Sequence, residues 1–211
     1  MDFISYTLLT TGWIAWCGLH SLLISKSISG YLHGMLGTYR YYYRLLYNLI
    51  ALFSLIPLLL ITDSMRFAPV FTWQGGWNFL RAMMFGLSIW LFIDGARNYD
   101  FSCMLGFRQI KSRQQIILLG DDEQFCRKGS HGIIRHPWYL GGLLIIWSRY
   151  QTYYDSTMVV AIVLSVYLIV GSWLEERKLV AEYGEKYRCY QQDVSMLFPW
   201  KWLVKKFSRE R

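Results

Sequence analysis

Residues 135–176 read RHPWYLGGLLIIWSRYQTYYDSTMVVAIVLSVYLIVGSWLEE, a long apolar segment with charged residues at both ends. The polar and turn-forming residues 151–155 divide this segment into two apolar runs. Two membrane helices joined in this way form a hairpin, and a hairpin returns its two ends to the same side of a bilayer. The pattern therefore predicts that the cation and imidazole of residues 135–136 lie close to the carboxylates of residues 175–176.

The composition indicates a membrane protein. The chain has 211 residues, of which 54% are hydrophobic and only 17% are charged, which is too apolar for an ordinary soluble domain. Its apolar runs are each close to the ~20 residues that a helix needs to cross a bilayer. We predict an all-α integral membrane protein with about five transmembrane helices. The predicted spans are 3–24, 46–62, 77–95, 138–154 and 156–174.

The distribution of basic residues predicts the orientation. Nearly all of the 22 Lys and Arg residues fall within 25–45, 96–137 and 175–211. The positive-inside rule places these segments in the cytoplasm, so we expect an external N-terminus and a cytoplasmic C-terminus, with the bacterial inner membrane as the expected location. Anionic lipid headgroups account for the net charge of +8. Membrane lipid is therefore an expected partner, and nucleic acid is not.

The chain shows no sign of further domains or of a metal centre. No repeat or linker divides it, so we expect one membrane domain over 1–211, with a three-span part at 1–95 and a motif-bearing part at 96–211. No basic region precedes the first apolar run, so we expect this span to be retained. Cys17, Cys103, Cys126 and Cys189 form no CxxC pair, so no metal site is expected.

The residues that flank the hairpin carry most of the chemistry. Pro137 suits the first turn of a helix, and the amides of that turn favour a carboxylate. Gly129 permits a tight turn before it. After the hairpin, the helix is expected to continue along the membrane surface and to pack on the 96–137 loop. Its aromatic stripe consists of Leu179, Tyr183, Tyr187 and Tyr190.

These residues together resemble a known family. The shared positions are Gly129, Arg135-His136-Pro137, Tyr139, Glu175-Glu176, Leu179, Tyr183-Gly184, Tyr187, Tyr190 and Pro199. Over about residues 120–200 the chain resembles the isoprenylcysteine carboxyl methyltransferase superfamily, which includes phospholipid methyltransferases. Its N-terminal half, through His20-Ser21 and residues 39–48, more loosely resembles bacterial methanethiol methyltransferases and NnrU-like membrane proteins.

The resemblance implies methyl transfer from S-adenosylmethionine, bound in a cytosol-facing pocket. Arg135, Glu175 and Glu176 are the candidate catalytic residues, and one of the two glutamates is expected to contact the cofactor. The other cofactor contacts that the family implies are Glu123, Gln124, Phe125, Cys126, Gly129, His131, His136, Pro137, Trp138 and Tyr139. Relatives usually carry tyrosine at the position of His131, which puts that contact in question.

The charges of the cofactor agree with this assignment. Arg135, His136 and the first-turn amides suit its carboxylate, a glutamate suits its ammonium, and Tyr139 suits the sulfonium. The methyl acceptor stays open among a small thiol, a lipid and an isoprenylated thiol or carboxylate, delivered from the membrane.

Two other functions remain as alternatives. An NADPH-dependent sterol- or steroid-type reductase has a similar Arg-His-x-x-Tyr run, although Trp138 before Tyr139 and Gly141-Gly142 after it speak against that class. A non-catalytic NnrU-like membrane protein would keep the scaffold without the reaction. Residues at the cytoplasmic ends also have structural interpretations. Arg135 alone suits a headgroup anchor, and Asp94 and Arg97 can pair with each other.

Overall fold

The computed structural model describes residues 3–97, 100–113 and 129–209. The α-helices are α1 (Phe3–Ile24), α2 (Lys26–Leu36), α3 (Tyr43–Ser64), α4 (Trp77–Ala96), α5 (Phe101–Leu105), α6 (Phe107–Ser112), α7 (Pro137–Ser148), α8 (Asp155–Tyr183), α9 (Glu185–Asp193) and α10 (Trp200–Arg209). Two 3₁₀ helices cover Gly37–Tyr42 and Gly129–Gly132, and the strands are β1 (Pro69–Thr72) and β2 (Thr152–Tyr154).

Four helical stretches among the described residues are long and apolar enough to cross a membrane. They are Phe3–Ile24, Lys26–Ser64, Trp77–Ala96 and Asp155–Tyr183. The predicted class of all-α integral membrane protein is confirmed. The predicted spans 3–24 and 77–95 match α1 and α4 closely, whereas α3 and α8 extend beyond the predicted 46–62 and 156–174.

The predicted fourth span, 138–154, has a different form. Helix α7 ends at Ser148 after 12 residues, a length of about 18 Å, and β2 follows it. The chain nevertheless returns to the beginning of α4, because the Trp73 amide donates to the Gln151 carbonyl at 2.9 Å. Residues 138–151 therefore still run antiparallel to α4, with a short helix and an extended segment in place of one long span.

The chain divides into two compact units. The described residues of the first fall within Met1–Thr72, Tyr99–Gly120 and Thr152–Leu164. Its core is formed by Leu9, Trp13 and Val160, and the Trp13 indole donates to the Thr62 hydroxyl at 3.0 Å. Strands β1 and β2 pair antiparallel in this unit. The prediction of a single domain over 1–211 stays a prediction.

The second unit, Trp73–Asn98, Asp121–Gln151 and Ser165–Arg211, contains the residues predicted to form the site. Helix α7 runs antiparallel to α4, and two hydrogen bonds fix their register. The Trp138 indole donates to the Phe92 carbonyl at 3.2 Å, and the Ser88 hydroxyl donates to the Gly141 carbonyl at 2.8 Å. A side chain at Gly95 would overlap the Trp138 ring, so the glycine permits this close approach.

The aromatic stripe predicts that the last membrane helix continues through the tail as one helix. The structure shows two helices there instead. Helix α8 ends at Tyr183, and Gly184 adopts φ +56° before α9 begins. Gly184 has ψ −130°, and residues with a Cβ are strained at this positive φ, so glycine permits the break. The break redirects α9, so Tyr187 and Gln191 both donate hydrogen bonds to Glu176 on α8.

Candidate functional site

The centre of the candidate site is a buried ion pair between the two ends of the hairpin. Arg135 precedes α7 and Glu176 lies on α8, and their side chains are each only 8% exposed. The guanidinium donates twice to the carboxylate, from Nε to Oε1 at 2.9 Å and from Nη2 to Oε2 at 2.5 Å. This bidentate geometry is the strong form of a charge-assisted hydrogen bond, and it holds the two chain ends together.

Three further groups among the described residues contact the Glu176 carboxylate. His136 Nε2 lies 2.6 Å from Oε1, the Tyr187 hydroxyl donates to Oε1 at 2.5 Å, and the Gln191 amide donates to Oε2 at 2.6 Å. Burial and the hydrogen bond to Glu176 raise the pKa of Tyr187, so this hydroxyl stays a donor at neutral pH. The carboxylate thus connects α7, α8 and α9 through one set of hydrogen bonds.

Arg135 also binds the main chain that follows α9. Its Nη1 donates to the Gln191 carbonyl at 3.2 Å and to the Val194 carbonyl. Backbone bonds reinforce this contact, since the Arg135 and His136 amides donate to the Ser195 and Met196 carbonyls at 2.8 and 3.1 Å. Side-chain and backbone hydrogen bonds therefore join the residues before α7 to the residues after α9.

The turn at Gly129–Gly132 is held by Asp94, near the end of α4. The Asp94 carboxylate accepts the Ser130 amide at 2.6 Å. Gly129 has φ +58°, and a Cβ there would lie 2.5 Å from Asp94 Oδ2. Arg97 is 4.0 Å from the carboxylate, with a side chain that is 75% exposed, so the main role of Asp94 among the described residues is to bind this turn.

His131 lies in the same turn. Its carbonyl accepts the Tyr190 hydroxyl at 2.6 Å, which connects the turn to α9. Burial lowers the pKa of the His131 imidazole, while the charge of Asp94 acts in the opposite direction. The side chain is therefore neutral at pH 7.

The other predicted residues on α7 occupy distinct places. Pro137 is the first helical residue and is buried. Trp138 packs on α4, as described for Phe92 and Gly95. The Tyr139 ring stands edge-on to His136 with 5.3 Å between ring centroids, and a Cβ at Gly171 would lie 3.3 Å from it. Trp138 thus joins α7 to α4, whereas Tyr139 lies beside His136.

The two glutamates differ sharply in their surroundings. Glu176 is 6% exposed and accepts all the hydrogen bonds described above. Glu175 is half-buried, and within residues 3–97, 100–113 and 129–209 its carboxylate has no hydrogen bond or ion pair. The sequence alone does not distinguish the roles of the two glutamates. Within the described residues, Glu175 is therefore the glutamate whose carboxylate has no protein partner.

The structure therefore brings together Arg135, His136, Tyr139 and Glu176, and it places Gly129 and His131 beside Asp94. Glu123, Gln124, Phe125 and Cys126 lie outside the described residues. Sequence reasoning had treated Tyr187 as packing and had given no role to Gln191. Tyr183-Gly184 is the sequence signal for both, because a glycine after a helix end favours a change of direction.

Known proteins show a similarity over about a third of the chain. This chain is 42% identical to the methanethiol S-methyltransferase of Pseudomonas deceptionensis over 67 residues. These residues are 32% of this chain and 25% of the relative. The chain is similar to methanethiol S-methyltransferases. The enzymes of that name from Crocosphaera subtropica and Mycobacterium tuberculosis are 41% identical over 66 residues and 37% identical over 67 residues.

These matches cover 31% and 32% of this chain and 26% and 27% of the two relatives. The chain thus spans about a quarter of the length of the curated methanethiol S-methyltransferases it matches. No protein-family model and no solved structure matches the chain. Among the described residues, no three His, Cys, Asp or Glu side chains are grouped to hold a metal ion.

Proposed function

We propose that this chain is an integral membrane methyltransferase that transfers a methyl group from S-adenosylmethionine to a small thiol. The observation that carries the proposal is the similarity, at 37–42% identity, to relatives named for methyl transfer to methanethiol. The resemblance of the Arg135–Tyr139 and Glu175–Glu176 motifs to a methyltransferase superfamily points to the same chemistry and to the same donor.

The described residues fit this cofactor at two of its charged groups. Helix α7 begins at Pro137, and its N-cap residue His136 makes no side-chain capping bond, so the first turn suits the cofactor carboxylate. The Glu175 carboxylate suits the ammonium. Glu123 to Cys126 and His131 are further proposed contacts, on the family resemblance alone.

Arg135 and Glu176 have a different role in this proposal from the one expected from the sequence. We had assigned Arg135 to the cofactor carboxylate and either glutamate to the ammonium, but these two side chains bind each other. Breaking a buried pair to bind a ligand would leave one charge uncompensated. Arg135 and Glu176 therefore hold the residues before α7 in place, and Glu175 provides the ligand charge.

When bound, S-adenosylmethionine supplies a methyl group on a sulfonium, and a thiolate takes this methyl to form a thioether. The reaction needs alignment and exclusion of water more than covalent help from the protein. The buried network around Glu176 provides rigidity next to Tyr139, whose ring face suits a sulfonium. A thiol or another small apolar acceptor would enter from the membrane, and lipid surrounds the apolar helices.

The same proposal includes the orientation in the membrane. The basic segments 25–45, 96–137 and 175–211 face the cytoplasm, where S-adenosylmethionine is available, with the bacterial inner membrane as the location. A reporter fused after Arg211 should then read as cytoplasmic, and an external reading would contradict the orientation without affecting the chemistry.

The donor can be tested by calorimetry on the full chain purified in detergent, with S-adenosylmethionine and NADPH titrated in parallel. We expect saturable binding of S-adenosylmethionine alone, and at least tenfold weaker binding to Glu175→Gln. Arg177→Gln is the control, because its guanidinium lies over the exposed Trp173 ring, 3.6 Å from the ring centroid. Binding of NADPH alone would support a reductase, and binding of neither would support a non-catalytic protein.

A further inference from the structure

The contact between His136 and Glu176 fixes the position of a proton. Both oxygens of Glu176 accept hydrogen bonds from groups that can only donate there, the Arg135 guanidinium and the Gln191 amide. The hydrogen in the 2.6 Å contact with His136 must then come from Nε2. A carboxylate that orients an imidazole in this way sets which ring nitrogen carries the hydrogen.

In the neutral form of His136, the other ring nitrogen keeps its lone pair. A neutral imidazole has one donor and one acceptor nitrogen, so Nδ1 is then the acceptor. As the N-cap residue of α7, His136 makes no side-chain bond to the first-turn amides. Within residues 3–97, 100–113 and 129–209, no group donates a hydrogen bond to Nδ1. The structure thus holds the His136 imidazole in a fixed orientation next to Tyr139.

We propose that His136 is the general base that removes the proton of the thiol acceptor, with Glu176 as the residue that positions it. This inference rests on the proposed function. The S–H bond of the thiol breaks, its proton binds Nδ1, and the electron pair stays on sulfur as the thiolate that the methyl transfer consumes. The proton then leaves His136 for water, and the site is restored.

An alkyl thiol needs such a base at neutral pH. Thiols of the cysteine type have a pKa of about 8.5 and are mostly protonated at pH 7, and the thiolate is the nucleophile. Proton transfer inside the site creates an imidazolium beside a thiolate, a pair without net charge. The neighbouring pair of Arg135 and Glu176 also sums to zero, so the step adds no net charge to the buried site.

The environment of the base is described by a few groups. Glu176 on α8 contacts the imidazole of His136, and Arg135 is the residue before it in the chain. Tyr139 stands edge-on to the imidazole ring, and the Tyr187 hydroxyl shares Oε1 of Glu176. Tyr187 therefore offers a matched control. Its replacement by phenylalanine removes one donor to the same carboxylate oxygen and leaves the base intact.

The test compares His136→Gln with Tyr187→Phe on two acceptors, with S-adenosylhomocysteine formation as the readout. The acceptors are methanethiol, which is protonated at pH 7, and thiophenol, an aryl thiol that ionises more readily. The Gln side chain can still donate to Glu176. Because general bases contribute about 100-fold or more, we expect His136→Gln to lose at least about 100-fold with methanethiol and less than about fivefold with thiophenol. Tyr187→Phe should slow both acceptors by the same factor.

A second measurement does not depend on turnover. The chain has four histidines, so the ¹⁵N signals of His136 can be assigned by their loss in His136→Gln. We expect the hydrogen of the His136 ring to be on Nε2 and not on Nδ1.

The outcomes separate this inference from the function on which it rests. Equal losses of His136→Gln with the two thiols, or a protonated Nδ1, would overturn the role of His136 and leave the methyltransferase in place. If the unaltered protein methylates neither thiol, the proposed function is wrong, and the role of His136 as general base is wrong as well.

Discussion

Replacement of Glu176 by glutamine should destabilise the protein strongly. Glu176 is 6% exposed, and its carboxylate takes part in five hydrogen-bonding contacts, with Arg135, His136, Tyr187 and Gln191. Glutamine keeps the shape but removes the charge, which leaves the buried Arg135 guanidinium without its partner. Removing one partner of a buried ion pair costs about 3–5 kcal/mol.

This loss converts to a measurable change in Tm. For a protein of this size, each kcal/mol shifts Tm by about 2–4 °C, so we expect Glu176→Gln to lower Tm by about 6–20 °C. The assay is thermal unfolding of the detergent-purified full chain without cofactor. The matched control is Glu175→Gln, one residue earlier on the same helix, whose carboxylate has no partner among the described residues.

We expect the control to change stability by less than about 0.5 kcal/mol, as is usual for substitutions away from buried networks, and its Tm to stay within about 2 °C. Equal Tm changes in the two variants would refute the assignment of Glu176 to the buried network and of Glu175 to the ligand. A Glu176→Gln protein that melts with the unaltered chain would refute it as well.

Three further predictions test other parts of the site. Glu175→Gln should raise the Kd for S-adenosylmethionine about tenfold or more, equivalent to about 1.4 kcal/mol, and an unchanged Kd in calorimetry would remove Glu175 from the pocket. Gly129→Ala should cost about 1–3 kcal/mol because of its positive φ and its contact with Asp94. Gly86→Ala on α4, where a Cβ would meet nothing within 4 Å, should not lower Tm. Equal Tm values for Gly129→Ala and Gly86→Ala would contradict the role of Gly129 in the turn beside Asp94. Burial lowers the pKa of His131, so the unfolded chain takes up a proton below about pH 6.5 that the folded chain does not. Stability should therefore fall from pH 7 to pH 5, less steeply in His131→Asn, and parallel slopes would contradict this.

The membrane helices were predictable because lipid imposes a simple length rule. The apolar runs 3–24 and 77–95 match α1 and α4 to within a residue. The predicted span 138–154 was too long, because its last residues, 149–154, read RYQTYY, and the helix ends at Ser148 before the extended segment β2 begins. The segment 25–45 reads as a basic connection, and it forms α2 and a 3₁₀ helix instead.

The meeting of Arg135 and His136 with a glutamate was predictable from the hairpin alone. Which glutamate they meet was not, because the facing direction of neighbouring residues depends on the exact rotation of α8. The donors Tyr187 and Gln191 were missed for a different reason. A helical stripe looks the same across Gly184 whether or not the helix breaks, and only the break at φ +56° brings α9 back to Glu176.

The most direct test of the account follows the methyl group itself. The purified full chain would be incubated with S-adenosylmethionine carrying a trideuterated methyl group and with unlabelled methanethiol, and the headspace analysed by gas chromatography and mass spectrometry. The account predicts dimethyl sulfide with one trideuterated methyl group, formed together with an equal amount of S-adenosylhomocysteine. Absence of labelled dimethyl sulfide, with the protein folded and S-adenosylmethionine bound, would contradict methyl transfer to a small thiol.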